Sequence, residues 1–123
     1  MDDLIARLEK ATGPDRELDG DIVLHLGLVP HGMERGWPGG WAGDGKQFDA
    51  EWYTKSIDAA LTLVPEDWCL FEMGQLGRNN QGWYVNLMHR HEVGEVSSSH
   101  ESFAVALCIA ALKARADTQA RDR

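Results

Sequence analysis

The sequence predicts a single α+β domain: a short antiparallel three-stranded sheet packed with amphipathic helices, in the order α-α-α-β-β-β-α. Three observations predict it. Ser102 to Ala116 is apolar almost all the way round a helix, a pattern that suits only an element buried on more than one side. Leu61 to Val96 reads as a short β meander able to cover one side of that helix. Met1 to Leu28 reads as two amphipathic helices able to cover another. Helices segregated to one face of an antiparallel meander define the α+β class.

The first helix is expected over Asp2 to Thr12, where Leu4, Ile5, Leu8 and Ala11 form one stripe. Asp2 and Asp3 suit the positive end of its dipole and Lys10 the negative end. Gly13-Pro14 ends it. A second helix follows from Pro14 to Leu26, with Leu18, Ile22 and Leu26 repeating every four residues and Gly27 as its terminator. Val29 to Gln47 has no periodicity and is rich in turn chemistry, with a short strand expected at most around Gly40 to Ala42. A loop this long is unusual in a compact domain. Thr54 to Val64 is the clearest helix, its apolar residues Ile57, Ala60, Leu61 and Val64 at i, i+3, i+4, i+7, stopped by Pro65.

Trp68 to Gln75 and Gly82 to His89 are expected strands joined by a hairpin loop. The first is apolar on both faces; the second alternates. A thinner strand over Glu92 to Ser98 belongs at an edge. The domain is taken as 1–116, with 117–123 as a frayed polar tail.

Composition narrows the function classes. The 123 residues suit one domain, and 43% hydrophobic content suffices for a core without staples. Two cysteines, Cys69 and Cys108, make no disulfide framework, which fits a reducing cytoplasm. No apolar run is long enough to span a membrane, and the acidic N-terminus lacks the features of a signal peptide. The net charge of −8 argues against a basic footprint for nucleic acid or anionic lipid. The densest acidic run, Asp15, Glu17, Asp19 and Asp21, is either a solvated helix face or a mimic that blocks a nucleic-acid-binding protein.

Candidate sites are few. Trp37 and Trp41, with Arg35 and Arg78 in neighbouring loops, form the candidate partner-binding surface, because tryptophan and arginine dominate interface hot spots. The competing reading folds both indoles onto the sheet. His89 and His91 share a face if they lie on a strand, so they are a weak metal candidate with His100 or Glu92. Ser97 to Glu101 puts hydroxyls beside an imidazole and a carboxylate, but adjacency in sequence is not a triad. Asp44 to Asp49 lacks calcium-ligand spacing, and the glycines of 39–45 lack the lysine of a phosphate loop. No cofactor is expected.

Three collinear blocks carry a resemblance. They are Leu4 to Asp19 (LIARLEKATGPDRELD), Tyr53 to Trp68 (YTKSIDAALTLVPEDW) and Ala104 to Ala116 (AVALCIAALKARA). Together the chain resembles the phage ABA-sandwich family, small proteins of phages and prophages. The resemblance implies a sandwich of helices and a short sheet and brings no activity, cofactor or catalytic residue. The segment Val29 to Asp49 departs from the pattern. The expected function is a non-enzymatic protein-binding module, an accessory factor or inhibitor of a host system, with a host or phage protein as partner. The alternatives are a structural component that self-assembles through its last helix into a homo-oligomer, or a metal-dependent or serine hydrolase built on His89, His91 and His100.

Overall fold

The computed structural model describes residues 2–76 and 82–121. In chain order its elements are α1 (Asp2–Lys10), α2 (Arg16–His25), β1 (Glu34–Trp37), β2 (Gly40–Gly43), β3 (Lys46–Asp49), α3 (Ile57–Leu61), β4 (Trp68–Gln75), β5 (Trp83–His89), β6 (Glu95–His100) and α4 (Phe103–Arg121). The fold is α+β, with four helices and two antiparallel three-stranded sheets, ordered β1-β2-β3 and β4-β5-β6.

The helix without a polar stripe is the centre of the molecule. Every residue from Ala104 to Leu112 is buried, and Ala114 with them. Alanines at 104, 106, 110, 111 and 114 let neighbours approach closely, while Val105, Leu107, Ile109 and Leu112 fill the space between. Each such aliphatic side chain contributes about 1.5–3 kcal/mol when fully buried. α4 packs across β5 and β6 on one side and against α1 and α3 on others. Among the bonds that hold it, the Cys108 thiol donates to the Tyr53 carbonyl at 3.2 Å, and Arg115 Nε donates to the Leu63 carbonyl at 2.7 Å.

Capping sets the other helix starts. The Asp15 carboxylate accepts from the backbone N–H groups of Glu17 and Leu18, so α2 begins one residue beyond Asp15. Ser56 caps α3 through Ala59 N–H, which leaves Thr54 outside the helix. The Thr54 hydroxyl is used elsewhere, as described below.

Two expectations are corrected. The segment Val29 to Gln47 is not one loop with a single short strand. It holds β1, β2 and the first half of β3, hairpins too short and glycine-rich to show alternation. Its turns were legible, as was the short strand around Gly40 to Ala42, which is β2; β1 and β3 were not. Asp44-Gly45 joins β2 to β3 with φ of 50° and 74°, the two positive values a two-residue primed turn requires. The second correction is the tail. Helix α4 continues through Asp117 to Arg121 because tertiary partners hold it. Thr118 Oγ1 accepts from the Trp68 indole at 2.9 Å. Arg121 pairs with Asp117 and Glu92 and donates to the Val93 carbonyl. Among the described residues, no helix is long and apolar enough to cross a membrane.

Candidate interaction surface

Of the residues singled out by sequence, Trp41 goes inward, Trp37 is half-buried and Arg35 stays exposed. Trp41 is only 4% exposed, its ring tilted against Phe48 with centroids 6.1 Å apart. Arg35 covers the Trp41 ring at 4.6 Å and reaches α2, where it pairs with Glu17 and Asp21. Gly20 leaves room for it: a Cβ there would stand 2.5 Å from the guanidinium. Trp37 lies over Gly40 and donates from its indole to Asp49 at 2.8 Å. Arg35, Trp37 and Trp41 therefore do come together, but as the clamp that fastens the first sheet to α2. The reading of Trp41 as partner-binding is corrected: a side chain this buried presents no surface. Arg78 lies outside the described residues.

A buried polar network completes that clamp. Asp19 is fully buried. Its Oδ1 accepts from the Thr54 backbone and hydroxyl, each at 2.8 Å, and its Oδ2 accepts from Arg16 at 2.9 Å. Arg16 also donates to the Ala50 and Glu51 carbonyls and stacks 4.1 Å above Trp52. The acidic run is thus dispersed. Asp15 is a cap, Asp19 is interior, Glu17 and Asp21 pair with Arg35, and Arg7 adds to Asp21. No stripe remains to mimic nucleic acid.

Of the three histidines, His89 and His91 stay close, ring centroids 6.2 Å apart, while His100 lies opposite Trp83 at the other end of β5. His89 ends β5 with its ring edge-on to Trp68, and its Nδ1 accepts from the backbone N–H groups of His91 and Glu92. His91 has left the strand, so the shared strand face that the metal reading required does not exist. His100 uses both nitrogens: Nδ1 accepts from Ser102 N–H at 2.9 Å, which leaves Nε2 to donate to the Ala11 carbonyl at 2.6 Å. Ser98 donates to the Ala106 carbonyl, also at 2.6 Å. Among the described residues no three His, Cys, Asp or Glu side chains cluster to hold a metal, and every fully buried side-chain nitrogen or oxygen has a partner.

The open surface lies on β4. In the second sheet β5 is central, so β4 is an edge strand paired only with β5 among the described residues. Helix α4 packs mainly on β5 and β6 and meets β4 at its start, where Thr118 accepts from the Trp68 indole. The strand nevertheless carries the composition of a buried one. Leu70 and Met73 pair with Leu87 and Val85, which are buried, so they lie on the inner face beyond the helix layer. Met73 is 52% exposed and Phe71 56%. Leu70 shares a groove with Leu61 of α3, Leu76 shares one with Lys10 and Ala11, and Phe71 shares a third with Met88 and Val93. The one signal available in the sequence was the two-sided apolarity of Trp68 to Met73. It marks a strand covered on both faces, but among the described residues only Trp68, at its start, is buried.

Comparison of the chain with protein-family models, curated proteins and solved structures gave no match in any of the three.

Proposed function

We propose that this chain is a small non-enzymatic protein-binding module of the phage or prophage type, an accessory factor or inhibitor of a host system, acting in the host cytoplasm. Its docking element is the β4 edge. The observation that carries this reading is the eight-residue edge strand with exposed apolar side chains on both faces. Such a strand offers a row of unpaired backbone donors and acceptors with side-chain grooves beside it, the arrangement that accepts an added strand from another polypeptide. The net charge of −8 favours a protein partner over nucleic acid or an anionic membrane. The resemblance to the phage ABA-sandwich family supports the class, and the unpaired Cys69 and Cys108 suit a reducing compartment.

The second reading, a self-assembling phage component, draws on the same edge. Its original form used the last helix, which is buried and unavailable. The test is capture from host lysate with tagged wild type, with Leu70→Lys and Met73→Lys, and with Trp37→Phe. A stoichiometric partner lost in the two β4 variants and kept by Trp37→Phe supports docking at β4. The reverse pattern returns the surface to the tryptophan hairpins.

A further inference from the structure

Resting on the reading of β4 as a docking edge, we propose that its occupant is a second copy of this chain, with the two β4 strands antiparallel about a two-fold axis at mid-strand. The two three-stranded sheets then join into one of six strands.

The edge carries one of the devices that keep edge strands single, a bulge, and lacks two others. Those two are lysine and proline. Trp68-Cys-Leu-Phe-Glu-Met-Gly-Gln75 contains no lysine and no proline. Its one charge, Glu72, pairs with Asn86 across β5 and accepts a hydrogen bond from the Tyr84 hydroxyl, which raises that phenol's pKa. The Tyr84 ring crosses over Gly74 of β4 to reach that carboxylate, so the charge is engaged within its own sheet.

The bulge makes the strand complementary to itself. The register shifts between Leu70 and Glu72, which puts Leu70 and Met73 on one face although they are three residues apart. Residues directly opposite in an antiparallel pair face the same side. An axis between Phe71 and Glu72 sets Leu70 beside the second copy's Met73 on the inner face, and Cys69 beside its Gly74 on the outer one. Every pair at the centre of the strand is then consistent in face.

The area is adequate. Leu61, Leu70, Phe71, Met73 and Leu76, on β4 or beside it, are between 37% and 56% exposed. A large side chain offers on the order of 150–200 Å² when free, so these five present roughly 400 Å² of apolar surface before the strand backbone is added. A standard interface takes about 800 Å² from each partner.

The experiment is mass by light scattering across a concentration series, with amide hydrogen exchange read along Leu70 to Gln75. The wild type is expected to double its mass with concentration and to gain protection along β4 as it does. Leu70→Lys and Met73→Lys should each weaken association about tenfold or more, and Met73→Leu should restore it. Both lysines sit at exposed positions, and a thermal melt checks that the fold is intact. A chain that is monomeric throughout overturns the second-copy inference, as does a dimer indifferent to both lysine variants. In either case, docking at β4 is judged separately by the lysate capture on the same variants.

Discussion

The two sheets of this chain invert the expectations raised by their composition. The first, β1 to β3, is short, glycine-rich and loop-like in sequence, and it carries two tryptophans and an arginine of the kind found at interfaces. Every one of those groups is consumed internally: Trp41 in the core, Trp37 on Asp49, Arg35 on α2. The second sheet contains the strand with the most core-like sequence, and that strand is the one left uncovered. Residue type alone does not separate an interface from a clamp. What separates them is whether the polar end of each side chain already has a partner. Arg35 and Trp37 do, whereas the apolar side chains of β4 lie beside an open backbone edge.

The largest effect on the clamp should come from Asp19. It is fully buried and accepts three hydrogen bonds, one from a guanidinium. Asp19→Ala leaves Arg16 and Thr54 facing a gap and should cost about 3–5 kcal/mol in urea unfolding. Trp41→Ala follows, expected to lose about 3–4 kcal/mol through a large cavity beside Phe48. Gly40→Ala tests the hairpin's close approach. A Cβ at Gly40 would fall 1.9 Å from the Trp37 indole nitrogen, so the ring must leave its bond to Asp49. The expected cost is about 1–3 kcal/mol, and the Trp37 fluorescence maximum should move to the red as the indole is exposed.

Alkaline pH tests the junction between the clamp and the central helix. Burial first, and the charge of Asp19 second, push the Cys108 thiol well above its ordinary range. The folded chain therefore keeps a proton that the unfolded chain releases. Stability from this group is complete below the ordinary thiol pKa of about 8.5 and declines as pH rises past it. The slope approaches about 1.4 kcal/mol per pH unit. Cys108→Ala should flatten that part of the urea-stability profile between pH 8.5 and the onset of tyrosine titration. An unchanged slope would place the loss elsewhere.

Much of the fold was legible because periodicity reports burial. The unbroken apolar run of α4, the i, i+3, i+4, i+7 spacing around Ile57 and the alternation of β5 each led to an element in the right place. Periodicity failed where elements are too short to repeat. β1, β2 and β3 have four residues each; their turns and a short strand around Gly40 to Ala42 were visible, but β1 and β3 were not. It also failed where tertiary contacts decide an end: the polar residues after Ala116 stay helical because Thr118 meets Trp68 and Arg121 meets Glu92. The candidate site was less legible. Sequence spacing placed His89 and His91 on one face, but the strand ends at His89. The apolarity of β4 was visible, whereas its position at the edge follows from strand order, which local composition does not encode.

The smallest effect on stability sharpens the comparison most. Leu70→Lys and Met73→Lys change side chains that already stand largely in water, so unfolding in dilute solution should shift by less than about 0.5 kcal/mol. Trp41→Ala is the mirror image, costly to the fold and silent at the surface. If the clamp and the edge are separate devices, the two kinds of variant should cross. Trp41→Ala should lose stability while any association at β4 persists below its melting temperature. Met73→Lys should keep its melting temperature at low concentration and lose the concentration dependence of that temperature, since association stabilises the folded state by mass action. A Met73→Lys protein that melts several degrees lower even when dilute would mean that β4 is held by contacts within the chain. The edge would then be part of the core after all, and the contrast between the two sheets would disappear.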